Sequence, residues 1–326
     1  MPSTVQFRME IPAELAGSRL DQALAELQPD FSRARLQAWI KAGRVTVNGH
    51  TLRAKDKVVG GEVVEVQADL PTQERWEAQS LPLDILYEDK QLIIVNKPPG
   101  LLVHPGAGNP DHTLVNALLY HAPELATVPR AGVIHRLDKD TSGVLAVART
   151  VPAHTHLVAS LQAREFEREY RALVSGVMTA GGMVDAPVGR HPVHRLRMAV
   201  VESGKEAVTH YRVEQRFRAH TLIRLQLETG RTHQIRVHMA HIHYPIVGDP
   251  LYGGRLKMPR QPSESLQAAL RGFRRQALHA ARLGLEHPKT QKFMEWETPL
   301  PSDMHALLQE FANDLAAHED EESFLR

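Results

Sequence analysis

The chain contains no cysteine. Disulfides, thiolate metal sites and thiol nucleophiles are therefore excluded, and any chemistry must run on Asp, Glu, His, Lys, Tyr or Ser. It also lacks a long apolar run: nothing approaches the ~20 residues that span a bilayer. The opening MPSTVQFRMEIPAEL has none of the basic-then-apolar layout of a secretory signal. No membrane partner is expected, and the cytoplasm is the expected location. Net charge is nearly absent too, 39 Lys and Arg against 38 Asp and Glu giving +1. Affinity for nucleic acid must then be sought in where the charges sit. There are no internal repeats and no low-complexity tract. What remains is an ordinary globular composition, 42% hydrophobic and 24% charged over 326 residues. That is enough for one large core with a small appendage.

Near the N-terminus, Leu20, Ala23, Leu24 and Leu27 recur at helical spacing, with Ser18 as the expected cap and Pro29 as the stop. Ser32 opens a second expected helix with Leu36, Trp39 and Ile40 on one face and Gly43 at its end. Val45 and Val47 then alternate before Asn48-Gly49, a strong hairpin signal, and EVVEV at 62–66 reads as a closing strand. Between Phe31 and Lys57, seven cations (Arg33, Arg35, Lys41, Arg44, Arg53, Lys55 and Lys57) stand against one acid, Asp56. A charge run alone is commonly a solvated face. A basic helix followed by a basic hairpin in so compact a unit is the footprint of a phosphate-backbone binder.

RLDQALA at 19–25 and SRARLQAWIKAGRVTVNG at 32–49 resemble the S4 RNA-binding module. The expected division is an S4-like RNA-binding domain over 1–70 with its core at 18–66, a polar linker at 71–80, a large domain at 81–312 and an acidic tail at 313–326, frayed over its last residues, HEDEESFLR. In the large domain, strands such as 92–95, 143–150 and 166–176 are interspersed with helices at 113–121 and 156–165. Many short turns join them. The class is α+β with a mixed, largely antiparallel sheet, rather than a doubly wound fold.

The stretch AGVIHRLDKDTSGVL at 131–145 concentrates the candidate chemistry. A kinase catalytic loop needs Asp directly after His-Arg, but Leu137 intervenes, and Gly143 stands where an Asn should hold magnesium. Asp138-Lys139-Asp140-Thr141 matches the D-x-D-x-T of aspartyl phosphatases, yet His135 and Arg136 sit where a buried strand should be apolar. A third reading has Asp138 exposed on a turn between two apolar strands, with Thr141 and Ser142 satisfying backbone groups. A lone turn aspartate is commonly a cap, so this reading needs partners elsewhere in the chain.

Those partners come in order: HRLDKDTSG at 135–143, REYRALV at 168–174 and GRTHQIRVH at 230–238, together with NKPPGLLVHPG at 96–106 and HYPIVGDPLYGG at 243–254. The set resembles the RluA family of RNA pseudouridine synthases over nearly the whole chain. The resemblance implies the pseudouridine synthase fold behind a small S4-like α/β domain. It assigns Asp138 as the carboxylate that either attacks C1′ or removes the 2′-proton, and Arg236 as its cationic partner. Arg231 is the second choice for that partner and suits RNA contact better. Tyr170 would stack on the displaced uracil and help move the C5 proton. Arg136 would fill the space of the flipped base or grip its phosphate, and His233 would also face RNA.

The implied partner is a stem-loop of 23S ribosomal RNA, free or within an assembling large subunit, bound by a monomeric enzyme. The reaction needs no cofactor, and the only G-x-G, Gly106-Ala107-Gly108, follows a proline and opens no helix. No metal is expected either. His238 and His241 share a helix spacing, but Arg231 and Arg236 flank them and no carboxylate joins them. A protein that binds RNA without catalysis is the rival reading. A uridine C5-methyltransferase would need the cysteine that is missing.

Overall fold

LIIVNK at 92–97 and SGVLAVA at 142–148 are apolar on both faces, as strands covered on both sides must be. In the computed structural model, Leu92 and Ile94 enter one hydrophobic cluster with Leu157 and Phe166. Ile93 and Val95 enter a larger one on the other face, with Leu114 and Leu118. The structure describes residues 4–324 except 29, 30, 32, 70–75, 107 and 195. The expected helix stop Pro29 and cap Ser32 lie outside the described residues. Contacts divide the chain into two units, one ending at Arg75 and the other beginning at Trp76.

The first unit holds β1 (Thr4–Glu10), α1 (Leu20–Leu27), α2 (Arg33–Lys41), β2 (Val45–Val47) and β3 (Val63–Asp69). Its antiparallel sheet has the order β1-β3-β2. Leu20, Leu24, Leu36, Val64 and Val66 form its own closed core. Ser18 does not cap α1; the N-cap is Arg19, without a side-chain bond. The first amides, Leu20 N and Asp21 N, donate instead to the carbonyls of Asp56 and Ala54. Asn48 and Gly49 both take positive φ, 50° and 79°. Their turn returns β2 only to a single bridge at His50, and the true ladder partner of β2 is β3.

The second unit carries β4 (Ile85–Glu88), β5 (Leu92–Lys97), α3 (Leu114–His121), β6 (Ser142–Ala148), α4 (Val151–Gln162), β7 (Glu167–Ser175) and β8 (Gly182–Asp185). There follow β9 (Val188–Arg190), β10 (Met198–Val200), β11 (Val208–Arg216), β12 (His220–Leu227), α5 (Gln234–His241) and α6 (Glu264–Gly272). It ends with β13 (Leu278–Glu286), β14 (Phe293–Glu297) and α7 (Ser302–Phe324). One nine-stranded sheet runs β4-β5-β6-β13-β7-β12-β11-β8, with β14 on β13. Its pairs are antiparallel except β6 with β13. The fold class read from the sequence is therefore right. β9 and β10 form a separate small hairpin.

Two boundaries differ from the sequence reading. Residues 76–80 are not linker: Trp76 packs on the main core, and Asn116 Nδ2 donates to the Glu77 carbonyl at 2.8 Å. The start of the acidic tail is no break in the structure either, because α7 continues across it. Asp314 is buried, accepting from Arg218 Nη1 at 2.9 Å and from Ser263 N at 2.8 Å. Among the described residues no helix is long and apolar enough to cross a membrane.

Candidate active site

The stretch before Asp138 is not a strand. Residues 129–132 make a 3-10 turn in which Arg130 and Ala131 are left-handed, and Val133 makes one bridge to Val147. Only the departing side, β6, is sheet. Gly143 lets that strand close onto β13: a Cβ there would stand 2.1 Å from the Ala280 carbonyl oxygen. The loop between is held from behind by Lys97. Its side chain is fully buried, and Nζ donates to the carbonyls of Pro98, Leu101 and Lys139, each at 2.9 Å. Burial pulls its ammonium down to about 7, against the pull of Asp140 and Asp138.

Asp138 opens toward solvent at the mouth of this loop, and its Oδ2 accepts from Arg236 Nη1 at 2.9 Å. Arg236 lies on α5, which starts just after His233 turns the chain through a left-handed φ of 57°. The guanidinium also donates through Nε and Nη2 to the two oxygens of Asp249, at 2.7 and 2.9 Å. Asp249 is buried and accepts from Leu251 N and Tyr252 N as well. Burial opposes the charge on Arg236, but the hydrogen bonds and charges of Asp249 and Asp138 outweigh it. The guanidinium stays above its ordinary range. The Tyr252 ring lies against it, 5.1 Å from Cζ to centroid.

His233 completes the cluster. Its Nδ1 meets the Tyr252 hydroxyl at 2.8 Å, and its Nε2 is 3.9 Å from Asp138 Oδ1. Burial lowers its pKa, with Asp138 opposing and Arg236 helping. Tyr252 Oη accepts from Met198 N at 2.8 Å. Its own proton is thus free for His233 Nδ1, which places the imidazole N–H on the Asp138 side. Tyr170, on β7, is buried at 7% exposure, and its hydroxyl makes no hydrogen bond among the described residues. Burial raises its pKa, with the Arg168 charge opposing, so the phenol stays protonated.

Asp138, Tyr170, His233 and Arg236 line one cleft of about 500 Å³. Six arginines (130, 136, 164, 168, 231 and 236) line it against two carboxylates, Asp138 and Glu228. The space suits one nucleotide, and the charge suits its phosphate.

The chain matches the family model for RNA pseudouridylate synthases over residues 91–241 and the S4 domain model over 18–64. It is 56% identical to a ribosomal large subunit pseudouridine synthase D of Pseudomonas aeruginosa, over 97% of this chain and 99% of that one. A protein of the same name from Escherichia coli K12 is 55% identical over the full length of both. The chain belongs to the RNA pseudouridylate synthase family. A solved human relative, RNA Pseudouridylate Synthase Domain Containing 4, superposes with a TM-score of 0.55 at 27% identity, covering 70% of this chain and 93% of that one.

In this synthase the candidates drawn from separated blocks, Asp138, Tyr170, Arg236, Arg136, Arg231 and His233, meet in the one cleft. Arg231 does not reach Asp138 as a second partner; its Nε donates to the Glu206 carbonyl at 2.9 Å. His135 also lines the cleft but is tied to the strand behind it. Its Nε2 accepts from Ala146 N at 3.1 Å, and burial pushes its pKa down to about 3. His238 spends both ring nitrogens on Thr209 and Ala186 and so is not free for a metal.

Lys41 and Arg44, in the first unit, are exposed. Arg33 is exposed too, and its Nε and Nη2 hold the fully buried Asp21 at 2.9 and 2.7 Å. The Arg35 side chain lies outside the described residues. The roles of Asp249, Tyr252 and Lys97 escaped the sequence reading. The only signal for them was their place in NKPPG and VGDPLYGG, text quoted above without an assigned role.

Proposed function

We propose that this synthase converts specific uridines of 23S ribosomal RNA to pseudouridine, with Asp138 as its reactive carboxylate. The observation that carries the reading is the Arg236 guanidinium, which is forked onto Asp249 and aims Asp138 through its remaining N–H at the mouth of an arginine-lined cleft. The reaction is an isomerisation. The N1–C1′ bond breaks, the uracil turns, C5 joins C1′, and the C5 proton is lost while N1 gains one. No redox change or donor enters, so no cofactor is called for.

A stacked uridine cannot reach this cleft and must be flipped out. Tyr170 then offers its ring to the loosened uracil. Arg136, exposed on the rim, fills the vacated place or grips the phosphate. The large-subunit substrate is supported by full-length relatives of more than half identity that carry that name. The S4 match supports a second grip on a stem-loop, either in free RNA or in an assembling subunit. The protein would work as a monomer in the cytoplasm.

Asp138→Asn should abolish pseudouridine formation in a single-turnover assay while leaving RNA affinity within a few-fold. Substantial residual turnover would sink the assignment. In cells lacking the protein, pseudouridine mapping should show named 23S positions reverting to uridine; an unchanged map would overturn the substrate.

A further inference from the structure

A second cation besides Lys97 holds the Asp138 loop. Arg275 Nη1 donates to the Asp140 carbonyl at 3.1 Å and to the Gln276 carbonyl at 3.1 Å. The neighbouring Gln276 Nε2 donates to Thr141 Oγ1 at 3.0 Å. The other two nitrogens of Arg275 form a fork onto Asp303, at 2.6 and 2.7 Å, in the first turn of α7. The Arg275 side chain is only 11% exposed, against 43% for Asp303.

The same segment also backs the second carboxylate of the site. The Arg275 carbonyl packs so close to Gly248 that a Cβ there would stand 2.2 Å away, and Ala277 N donates to the Val247 carbonyl at 2.9 Å. Gly248 is the residue before Asp249. One short segment therefore braces both the loop that carries Asp138 and the turn that carries Asp249.

We propose that Arg275, fixed by Asp303, is a positioning residue for the reaction: it sets the Asp138 loop against the Arg236 fork and thereby ties the aim of the carboxylate to the docking of α7. The proposal rests on the reading of Asp138 as the reactive group. A fork onto one carboxylate and a further nitrogen shared by two carbonyls need the planar, five-donor guanidinium. A lysine can serve the carboxylate or the carbonyls well but not all three groups. Because reacting atoms must be held to within fractions of an ångström, losing the brace should act on the chemical step rather than on RNA capture.

The test compares Arg275→Gln, Arg275→Lys, Asp303→Asn and the double variant Arg275→Gln/Asp303→Asn in the full-length protein. Arg282→Gln serves as control, since among the described residues Arg282 pairs only with surface glutamates. Single-turnover rate and RNA affinity are measured per folded molecule, with foldedness from circular dichroism. Arg275→Gln should slow the chemical step on the order of 10- to 100-fold, with affinity within threefold. Asp303→Asn should lower the rate in the same direction, Arg275→Lys should restore part of it, and the double variant should lose no more than Arg275→Gln.

Rates equal to the parent in both Arg275→Gln and Asp303→Asn would overturn the proposal, as would a loss confined to affinity. If Arg275→Gln does not fold, Asp303→Asn decides alone, because its carboxylate is half in solvent. Asp138→Asn is assayed alongside. Turnover in that variant defeats the reading of the reactive carboxylate, whereas an inactive Asp138→Asn with fully active brace variants defeats the positioning role alone.

Discussion

Arg236 Nη1 donates to Asp138 Oδ2 across 2.9 Å, while the other two nitrogens of that guanidinium are locked on Asp249. The two-point grip on Asp249 fixes the plane of the group, so the remaining N–H has one direction to point. The carboxylate proposed to react is the one held by a single bond and left open to the cleft. The carboxylate held twice is buried and serves as an anchor.

Replacing Arg236 by Lys keeps the charge and loses the fork. The expected result is a fall in single-turnover rate on the order of 100-fold, since misaligned groups cost about that much. Asp249 would be left buried with a poorer partner, and breaking such a pair costs about 3–5 kcal/mol. A urea melt should therefore show a clear loss of stability. A variant within threefold of the parent rate would mean that charge alone, not geometry, is what Asp138 needs.

Lys97→Met keeps the stem and removes the ammonium. Three carbonyls, of Pro98, Leu101 and Lys139, then lose their donor inside the protein, each at about 1–3 kcal/mol if no water replaces it. The Lys139 carbonyl adjoins Asp138, so turnover should fall by on the order of tenfold or more, together with thermal stability. Single-turnover kinetics at a temperature where the variant is folded separates the two effects. Full activity there would show that the loop keeps its shape without the clamp.

Asp138, Tyr170 and Arg236 were legible because each stands in a block whose letters and order are distinctive. Asp249, thirteen residues beyond Arg236, was not. An aspartate before Pro-Leu-Tyr reads locally as a turn residue, and only the tertiary fold brings Arg236 onto it. Lys97 was not legible either, because burial of a lysine is invisible to pattern. The ion pair of Arg33 was hidden for the complementary reason: a cation in a basic helix is counted as surface, which Arg33 is, and nothing local shows that it also holds the buried Asp21 of the neighbouring helix. The sheet was legible in class, since alternation marks strands, but its strand order was not. The β6–β13 pairing joins residues more than a hundred positions apart, and no local signal encodes that.

Stability should fall on acidification through a defined window. Burial pushes His220 and His279 down to about 4 from an ordinary 6.5. Between those values the unfolded chain binds protons that the native state refuses, so stability is lost as pH drops from about 6.5 toward 4. The slope is about 1.4 kcal/mol per pH unit for each such group. His220 is the cleaner probe, because it packs on Phe311 of α7 and neither ring nitrogen has a partner among the described residues. His220→Leu should flatten the dependence of the unfolding midpoint on pH across that window and cost little at pH 7.5. An unchanged slope would mean that the His220 ring is already protonated in the fold.

The S4-like unit yields a contrast between two kinds of arginine and lysine change. Lys41 and Arg44 are exposed and make no ion pair among the described residues. Arg33 is spent on Asp21, whose carboxylate is wholly buried and whose pKa is lowered to about 2: burial raises it, but hydrogen bonds from Gln37, Arg33 and Arg19 win. If the exposed pair meets phosphates, Lys41→Gln and Arg44→Gln should weaken RNA binding at fixed salt. Each should also reduce the slope of log K against log salt by about 0.7–0.9, with the chemical step on bound RNA unchanged. Arg33→Gln should instead lower the melting temperature of this unit. Its carboxylate partner needs Arg33 to stay charged in the fold, and the sign of that shift makes the loss largest above about pH 4, where Asp21 is ionised in both states. Salt titrations and thermal melts on the same three variants distinguish the roles. A salt slope unaltered in Lys41→Gln and Arg44→Gln would move the RNA contact to another face of the unit.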